Sequence, residues 1–304
     1  MTIKFENLYK SYDDVEILHG ISFVVEPGKP MAFLGRNGAG KTTTIRGFMD
    51  VFKFDSGEVL IDGKPFKVSD YKIGYLPEER GLYQKHKILD QLIYFSKLRG
   101  IDEKSAKKNI LDLLEKVGLE KYANKKLETL SKGNQQKVQI VQALMNEPDL
   151  IILDEPFSGL DPVNSKILRD LVNDFSKAGK YLIFSSHQMG YVEEMCDDLT
   201  IIKDGSIVIS DKIKSIKKEM GKGRIFLEAE NMPGHELELY LKSQMPDFEY
   251  LKKDSGLIID LQGSKKEDFL QNLLDIQVHI KTFGAYEPSV YDIFIALAGG
   301  GQDE

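Results

Sequence analysis

Gly35-Arg36-Asn37-Gly38-Ala39-Gly40-Lys41-Thr42-Thr43 decides how the rest of this chain is read. The stretch satisfies the pattern G-x-x-x-x-G-K-[ST], a phosphate-binding loop. Three glycines and Ala39 keep it free of bulky side chains, so backbone N–H groups can close around phosphate oxygens. Lys41 is placed to reach the β- and γ-phosphates of a nucleotide, and the Thr42 hydroxyl to ligate Mg²⁺. Before the loop, Pro30-Met31-Ala32-Phe33-Leu34 reads as a short buried strand. After it, Thr42 to Met49 opens a helix whose N-terminus favours anions. A glycine-rich turn fitting the pattern by accident would lack that order of strand, loop and helix.

Toward the N-terminus, Ile3 to Tyr12 and Ile17 to Val25 alternate apolar and polar residues as half-buried strands do, with Asp13-Asp14 as the turn and Pro27-Gly28 as the stop. Tyr12, just past a strand, either stacks on a nucleotide base or sits as a surface turn residue. Downstream, Gly57 to Pro65 reads as a strand and turn around Asp62-Gly63. Lys72 to Leu76 is a short strand ended by Pro77 and the acidic pair Glu78-Glu79. From Ile88 to Leu130 the apolar residues fall three and four apart, as in Leu89, Leu92 and Ile93, or Ile110, Leu114 and Val117. Gly100 and Gly118 mark helix ends there. Strand patterns return at Asp149 to Asp154 and at Tyr181 to Ser186, the second running into His187. Leu199 to Ile202 and Ile207 to Ile209 flank the hairpin signal Asp204-Gly205.

Lys212 to Arg224 is lysine-rich and carries Gly221 and Gly223, which reads as a linker, in the form of a solvated helix rather than a lipid-binding one. Beyond it the pattern is Arg224–Glu230 strand, Glu236–Ser243 helix, a Tyr250–Leu261 hairpin, Lys266–Leu273 helix, Val278–Thr282 strand and Ser289–Ala298 helix. The order βαββαβ predicts a small ferredoxin-like unit.

Composition narrows the function. At 304 residues there is room for one large domain and a smaller one. A net charge of −7 argues against a nucleic-acid partner, since phosphate-backbone binders carry a basic excess. Cys196 is the one cysteine, so neither an internal disulfide nor a cysteine metal cage is available, in keeping with a reducing compartment. No apolar run approaches the roughly 18–20 residues of a spanning helix, and the N-terminus lacks the shape of a signal peptide. The polypeptide is expected not to cross a membrane itself.

Three further segments make the reading specific. Leu150-Ile151-Ile152-Leu153-Asp154-Glu155 is an apolar strand closing on two carboxylates, the first suited to a Mg²⁺ shell and the second to polarising an attacking water. Leu130-Ser131-Lys132-Gly133-Asn134-Gln135-Gln136-Lys137 follows the helical stretch and opens another helix. Ser158-Gly159-Leu160-Asp161 and His187 come after. In this order the chain closely resembles the ATP-binding-cassette (ABC) ATPases over residues 1 to about 210. Tyr12 matches the aromatic loop, Gly35–Thr43 Walker A, Glu78 the Q-loop, Leu130–Asn134 the signature, Ile151–Glu155 Walker B, Ser158–Asp161 the D-loop and His187 the H-loop.

The resemblance implies an α/β P-loop fold with a mixed sheet, an antiparallel β subdomain and a helical insertion over about 88–145. It implies an ATPase domain at 1–212 and an accessory or regulatory α+β domain at 213–304, which carries none of the nucleotide motifs and is expected to take no part in hydrolysis. The cofactors would be ATP and Mg²⁺. Glu155 would be the general base, Thr42, Asp154 and Glu78 would act on the metal, and Lys41 and His187 on the γ-phosphate. Gly35, Arg36, Asn37, Gly38, Ala39, Gly40 and Thr43 would form the cradle, and Tyr12 would stack on adenine. In a head-to-tail dimer with a second copy or a homologous ATPase, the other chain would add Ser131, Gly133 and Asp161. Integral-membrane permease subunits are the expected partners, holding the chain on the cytoplasmic face of the membrane. Glu78 replaces the family's usual glutamine, and Lys132 and Asn134 depart from the L-S-G-G-Q signature. Both changes look like those of the sodium-exporter and daunorubicin-type drug-exporter ATPases, whose closing motif Glu287-Pro288-Ser289-Val290-Tyr291-Asp292-Ile293-Phe294 resembles. A soluble ABC ATPase of assembly or repair is the alternative, but the stretch from Lys41 to Ser131 leaves no room for a long coiled coil.

Overall fold

The strand that feeds the glycine-rich loop lies inside a six-stranded sheet. The computed structural model describes residues 2–79 and 81–299, so Met1, Arg80 and residues 300–304 at the end of the expected accessory segment lie outside it. In chain order the elements are β1 (Ile3–Tyr12), β2 (Val15–Val25), β3 (Met31–Leu34), α1 (Lys41–Phe48), β4 (Ser56–Ile61), β5 (Lys64–Pro65) and β6 (Ile73–Leu76). Next come α2 (Ile88–Leu98), α3 (Glu103–Lys116), α4 (Lys132–Leu144), β7 (Leu150–Asp154), α5 (Pro162–Lys177), β8 (Tyr181–Ser185), α6 (Met189–Met195), β9 (Asp198–Lys203) and β10 (Ser206–Lys212). The remainder is α7 (Ile213–Gly221), β11 (Arg224–Ala229), α8 (Gly234–Gln244), β12 (Glu249–Lys253), β13 (Gly256–Asp260), α9 (Lys266–Asp275), β14 (Ile280–Ala285) and α10 (Val290–Ala298).

Two compact units divide the chain. Among the described residues, one holds those of 2–213 together with 294–299, and the other holds Lys214–Ile293. Beside the expected segments 1–212 and 213–304, the differences are that Ile213 and the later part of α10 group with the first unit.

In the first unit the large sheet runs β10-β9-β3-β8-β7-β6, parallel from β9 to β6 with β10 antiparallel at one edge. Strands β3, β7 and β8 are buried throughout, which is why 31–34 and 150–154 read as unbroken apolar runs rather than alternating ones. A second, antiparallel sheet runs β2-β1-β4-β5. Both halves of the Asp13-Asp14 turn take left-handed φ, 45° and 66°, as the tight hairpin requires. The two sheets share a core in which Phe5 stacks on Phe23 at 4.1 Å and Phe23 on Phe33 at 5.2 Å. Phe33 thereby anchors the strand that launches the loop.

The helical insertion is α2, α3 and α4. Leu92, Ile110 and Leu114 are completely buried on the faces the spacing marked. Asp102 caps α3 by accepting the Ser105 N–H at 3.0 Å.

The second unit has sheet order β12-β13-β11-β14, antiparallel at every pairing, with α8 and α9 supplying the crossovers. That is the ferredoxin-like arrangement the βαββαβ pattern predicts. The helix expected between Lys212 and Arg224 is α7 over 213–221, but it is not wholly solvated: Ile213 and Ile216 are buried three positions apart, an apolar face too short for the sequence pattern to mark.

Asp292 closes this unit's last turn. It accepts hydrogen bonds from the Ser289 N–H at 2.8 Å, the Ser289 hydroxyl at 2.7 Å and the Tyr286 hydroxyl at 3.0 Å, and pairs with Lys253. Ser289 Oγ in return accepts the Asp292 N–H at 3.1 Å, completing a capping box for α10. Burial would raise the Asp292 pKa, but the bonds from Lys253, Ser289 and Tyr286 outweigh it and hold the carboxyl at about 2. Because the folded value lies below the unfolded one, the stabilisation is complete above about pH 4 and is lost as pH falls toward 2. Asp292→Ala is expected to cost about 2 kcal/mol of stability in urea at pH 7, with the difference from wild type narrowing below pH 4. A pH-independent difference would contradict that origin.

Candidate functional site

Gly35 leaves β3 at a point where a Cβ would lie 2.5 Å from the Ile202 carbonyl oxygen, so only glycine follows the strand here. The loop ends at Gly40, whose φ of +108° is open only to glycine, and α1 starts without a side-chain cap. The N–H groups of its first turn are therefore donors with no side-chain partner, the arrangement that receives a phosphate. Lys41 folds its ammonium over the loop, donating to the Gly35 carbonyl at 2.5 Å and the Arg36 carbonyl at 3.2 Å. Burial lowers its pKa, against the opposing pull of Asp154, Glu155 and Glu78.

The acidic side is built on β7 and β8, paired in parallel register from Leu150↔Tyr181 to Asp154↔Ser185. Asp154, at 8% exposure, accepts a hydrogen bond from the Ser185 hydroxyl. Glu155 follows in a left-handed conformation at φ 49°, a cost of order 1 kcal/mol for a non-glycine residue. Its N–H donates to the Ser185 carbonyl at 3.0 Å. Its carboxylate accepts the His187 N–H at 2.7 Å and the Ser186 hydroxyl at 3.3 Å, while His187 Nε2 lies 3.8 Å away. Burial raises its pKa, partly offset by His187 and the hydrogen bonds. The result is a carboxylate fixed in place and more basic than usual.

One cleft is lined by Arg36, Asn37, Gly38, Gly40, Lys41, Thr42 and Thr43 from the loop and by Glu78, Asp154, Glu155 and His187 from three other points of the chain. Nucleotide, metal and general-base candidates predicted from separate motifs thus meet in space. Tyr12, Ser131, Gly133 and Asp161 do not line it. Tyr12 ends β1, 46% exposed and edge-on to Phe52 at 5.8 Å. Ser131 is the N-cap of α4, accepting the Asn134 N–H at 3.3 Å. Gly133 packs so tightly on the following loop that a Cβ would stand 2.9 Å from the Gly159 carbonyl. Asp161 caps α5, accepting the Asn164 N–H at 2.9 Å and its side-chain amide at 2.7 Å; the first of these bonds chiefly lowers its pKa.

Phe294 is the site neighbour that motif spacing misses. From α10, more than a hundred residues past the last motif, it joins Phe33, Leu34, Gly35, Lys41, Glu155, His187 and Met189 around one small closed pocket. The segment past residue 212, expected to take no part in hydrolysis, thus places one side chain in the lining of that pocket. Phe294→Ala opens that wall beside Glu155 and His187 without entering the phosphate cleft. The expected result is a fall in kcat of about threefold or more, since small displacements of catalytic groups are costly, with ATP affinity within about twofold of wild type. Steady-state ATPase assays and nucleotide titration check it, and an unchanged kcat would remove Phe294 from the site.

Comparison with known proteins identifies the family. Residues 18–158 match the family described as ABC transporter. Residues 212–298 match the C-terminal domain described as that of DrrA1-3-like ATP-binding proteins. The chain is 36% identical to the ABC transporter ATP-binding protein YhaQ of Bacillus subtilis over 98% of each chain. It is 32% identical to the bacitracin transport ATP-binding protein BcrA of Bacillus licheniformis, again over 98% of each. A solved structure of an ATP binding subunit of an ABC transporter superposes with a TM-score of 0.67 at 29% identity, covering 73% of this chain and 94% of that one.

Proposed function

This chain belongs to the ATP-binding subunits of ABC transporters, and we propose on that premise that it powers an exporter from the site described above. The observation that carries the site assignment is the single cleft shared by the glycine-rich loop, Glu78, Asp154, Glu155 and His187. ATP would lie with its phosphates on the uncapped N-terminus of α1, Lys41 against the β- and γ-phosphates and Tyr12 against adenine.

The residues present also suit Mg²⁺. Among the described residues no group of three His, Cys, Asp or Glu forms a metal cage. A Mg²⁺ ion ordinarily takes one or two carboxylates and completes its shell with substrate phosphates and water. Thr42, Asp154 and Glu78 would hold it, and when bound it supplies positive charge to the β- and γ-phosphate oxygens. Glu155 would take the proton of the attacking water, a role for which its burial, its raised pKa and its two anchoring hydrogen bonds prepare it. His187 stands beside it to contact the γ-phosphate.

ABC ATP-binding subunits dimerise and work with membrane permeases. In this chain Ser131 at the N-terminus of α4 would meet the γ-phosphate held by the other chain, together with Gly133 and Asp161 of the same surface. ATP then favours the closed dimer because only that state contacts it from both sides. The export direction is supported by the DrrA-like C-terminal match and by the kinship with a bacitracin transport protein. We place the ATPase at 1–212 and an accessory domain at 213–304, with Phe294 returning to the site. The soluble-ATPase alternative is not favoured, because YhaQ and BcrA, which align along nearly the whole chain, are transporter proteins.

No described helix is long and apolar enough to cross a membrane, so attachment on the cytoplasmic side would come through permease subunits. Affinity purification of the tagged chain from membranes in mild detergent tests this. A multi-spanning protein should copurify in stoichiometric amount; recovery of the chain from the soluble fraction alone would sink the transporter reading.

A further inference from the structure

The second unit contains a basic cleft that ATP hydrolysis does not explain. Its volume is about 980 Å³, at the upper end of the ~300–1,000 Å³ typical of small-ligand sites. The C-terminal half of α7, the Gly221–Gly223 turn into β11, the connection into α9 and Tyr286-Glu287 after β14 form its walls. Six cationic side chains line it: Lys214, Lys217, Lys218, Lys222, Arg224 and Lys266. Glu219 and Glu287 are the carboxylates in the lining. In a chain of net charge −7 this local excess runs against the overall balance.

Pairing within the unit uses up little of that charge. Lys217 Nζ lies 3.2 Å from Glu287, and its side chain is only 12% exposed. Arg224 Nε lies 3.3 Å from Asp260, and its Nη1 donates to the Met220 carbonyl at 3.5 Å. Among the described residues Lys214, Lys218, Lys222 and Lys266 have no ion-pair partner. The start of α9 opens on the same cleft at Lys266, and no side chain caps its first-turn N–H groups. The carboxylates of that turn, Glu267 and Asp268, are absent from the cleft lining. Like charges around one concavity raise its energy, and a multivalent anion relieves the repulsion. Lysine ammonium groups are compact point charges suited to phosphate oxygens, whereas bidentate carboxylate recognition calls for arginine.

We propose that this cleft binds a phosphoryl anion, supplied either by the head group of an anionic phospholipid or by a free multivalent phosphate.

The full chain is tested with Mg-ADP in excess, so that the glycine-rich loop is occupied. Inorganic tripolyphosphate is titrated calorimetrically, and cosedimentation is measured with phosphatidylcholine vesicles with and without about 30% phosphatidylglycerol. Lys218→Glu/Lys222→Glu/Lys266→Glu should weaken binding of the active probe by about tenfold or more, a difference of about 1.4 kcal/mol. The corresponding glutamine triple variant should give a smaller loss. Lys104→Glu/Lys107→Glu/Lys108→Glu, the same charge change on α3, should leave affinity within about twofold. Unchanged basal ATPase activity shows that each variant is folded. Binding of anionic vesicles alone assigns the lipid head group, binding of tripolyphosphate alone assigns a free phosphate, and binding of both makes the two alternative occupants. Binding of neither probe, or an equal loss in the α3 control, overturns the proposal.

Discussion

Glu155→Gln is expected to lower ATP turnover by about 10²–10⁴-fold, the usual contribution of a positioned general base. The amide is isosteric: its oxygen can still accept the His187 N–H now held by Oε1, and its NH2, in the place of Oε2, can donate to the Ser186 hydroxyl oxygen. It cannot take a proton. Affinity for Mg-ATP should therefore stay within about twofold, because nothing in the loop or at Lys41 has changed. The loss should appear in kcat and kcat/KM alike, as it does when an interaction made only in the transition state is removed. Single-turnover hydrolysis separates chemistry from product release. A variant hydrolysing at the wild-type rate would show that another group is the base.

Lys41→Ala acts on the opposite wall and should leave a different signature. The ammonium now rests on the Gly35 and Arg36 carbonyls, partly desolvated and facing Asp154, Glu155 and Glu78. Removing it deletes the charge-assisted contact to the β- and γ-phosphates and takes a cation from beside Asp154, Glu155 and Glu78. Equilibrium titration with a fluorescent ATP analogue should show a loss of at least about tenfold, or 1.4 kcal/mol. ADP should lose less than ATP, since the γ-phosphate contact is absent from it. Equal affinity in wild type and variant would mean that phosphate does not bind at this loop.

Much of this site was legible because chemistry dictates residue type and spacing. A phosphate loop needs glycines where φ turns positive, and Gly38 and Gly40 do so at 80° and 108°. An acid pair after a buried strand needs the apolar run that ends at Asp154. What stayed hidden depends on long-range packing. The left-handed φ of Glu155, which aims its carboxylate at His187, has no sequence signature. Neither has Phe294, one aromatic in an apolar helix pattern until the fold brings it beside Lys41 and Glu155. Lys137 reads as an ordinary helix charge, yet its ammonium is buried and donates to the Val117 carbonyl at 2.8 Å and to Asn164 Oδ1 at 3.0 Å. It thus ties the helical insertion to α5. The buried face of α7 stayed hidden for a related reason: two isoleucines among lysines make too narrow a stripe to register.

In the proposed dimer the cleft of one chain is completed by Ser131 and the α4 N-terminus of another. Sedimentation velocity on the Glu155→Gln chain, with and without Mg-ATP, tests it most directly when repeated with Ser131→Asp added. Aspartate preserves the cap that Ser131 gives α4 but sets a negative charge where the γ-phosphate of the opposite chain would arrive. The account predicts monomers without nucleotide, dimers with Mg-ATP for Glu155→Gln, and nucleotide-bound monomers for the double variant. An ATP-bound Glu155→Gln chain that stays monomeric, or a double variant that dimerises just as readily, would contradict it.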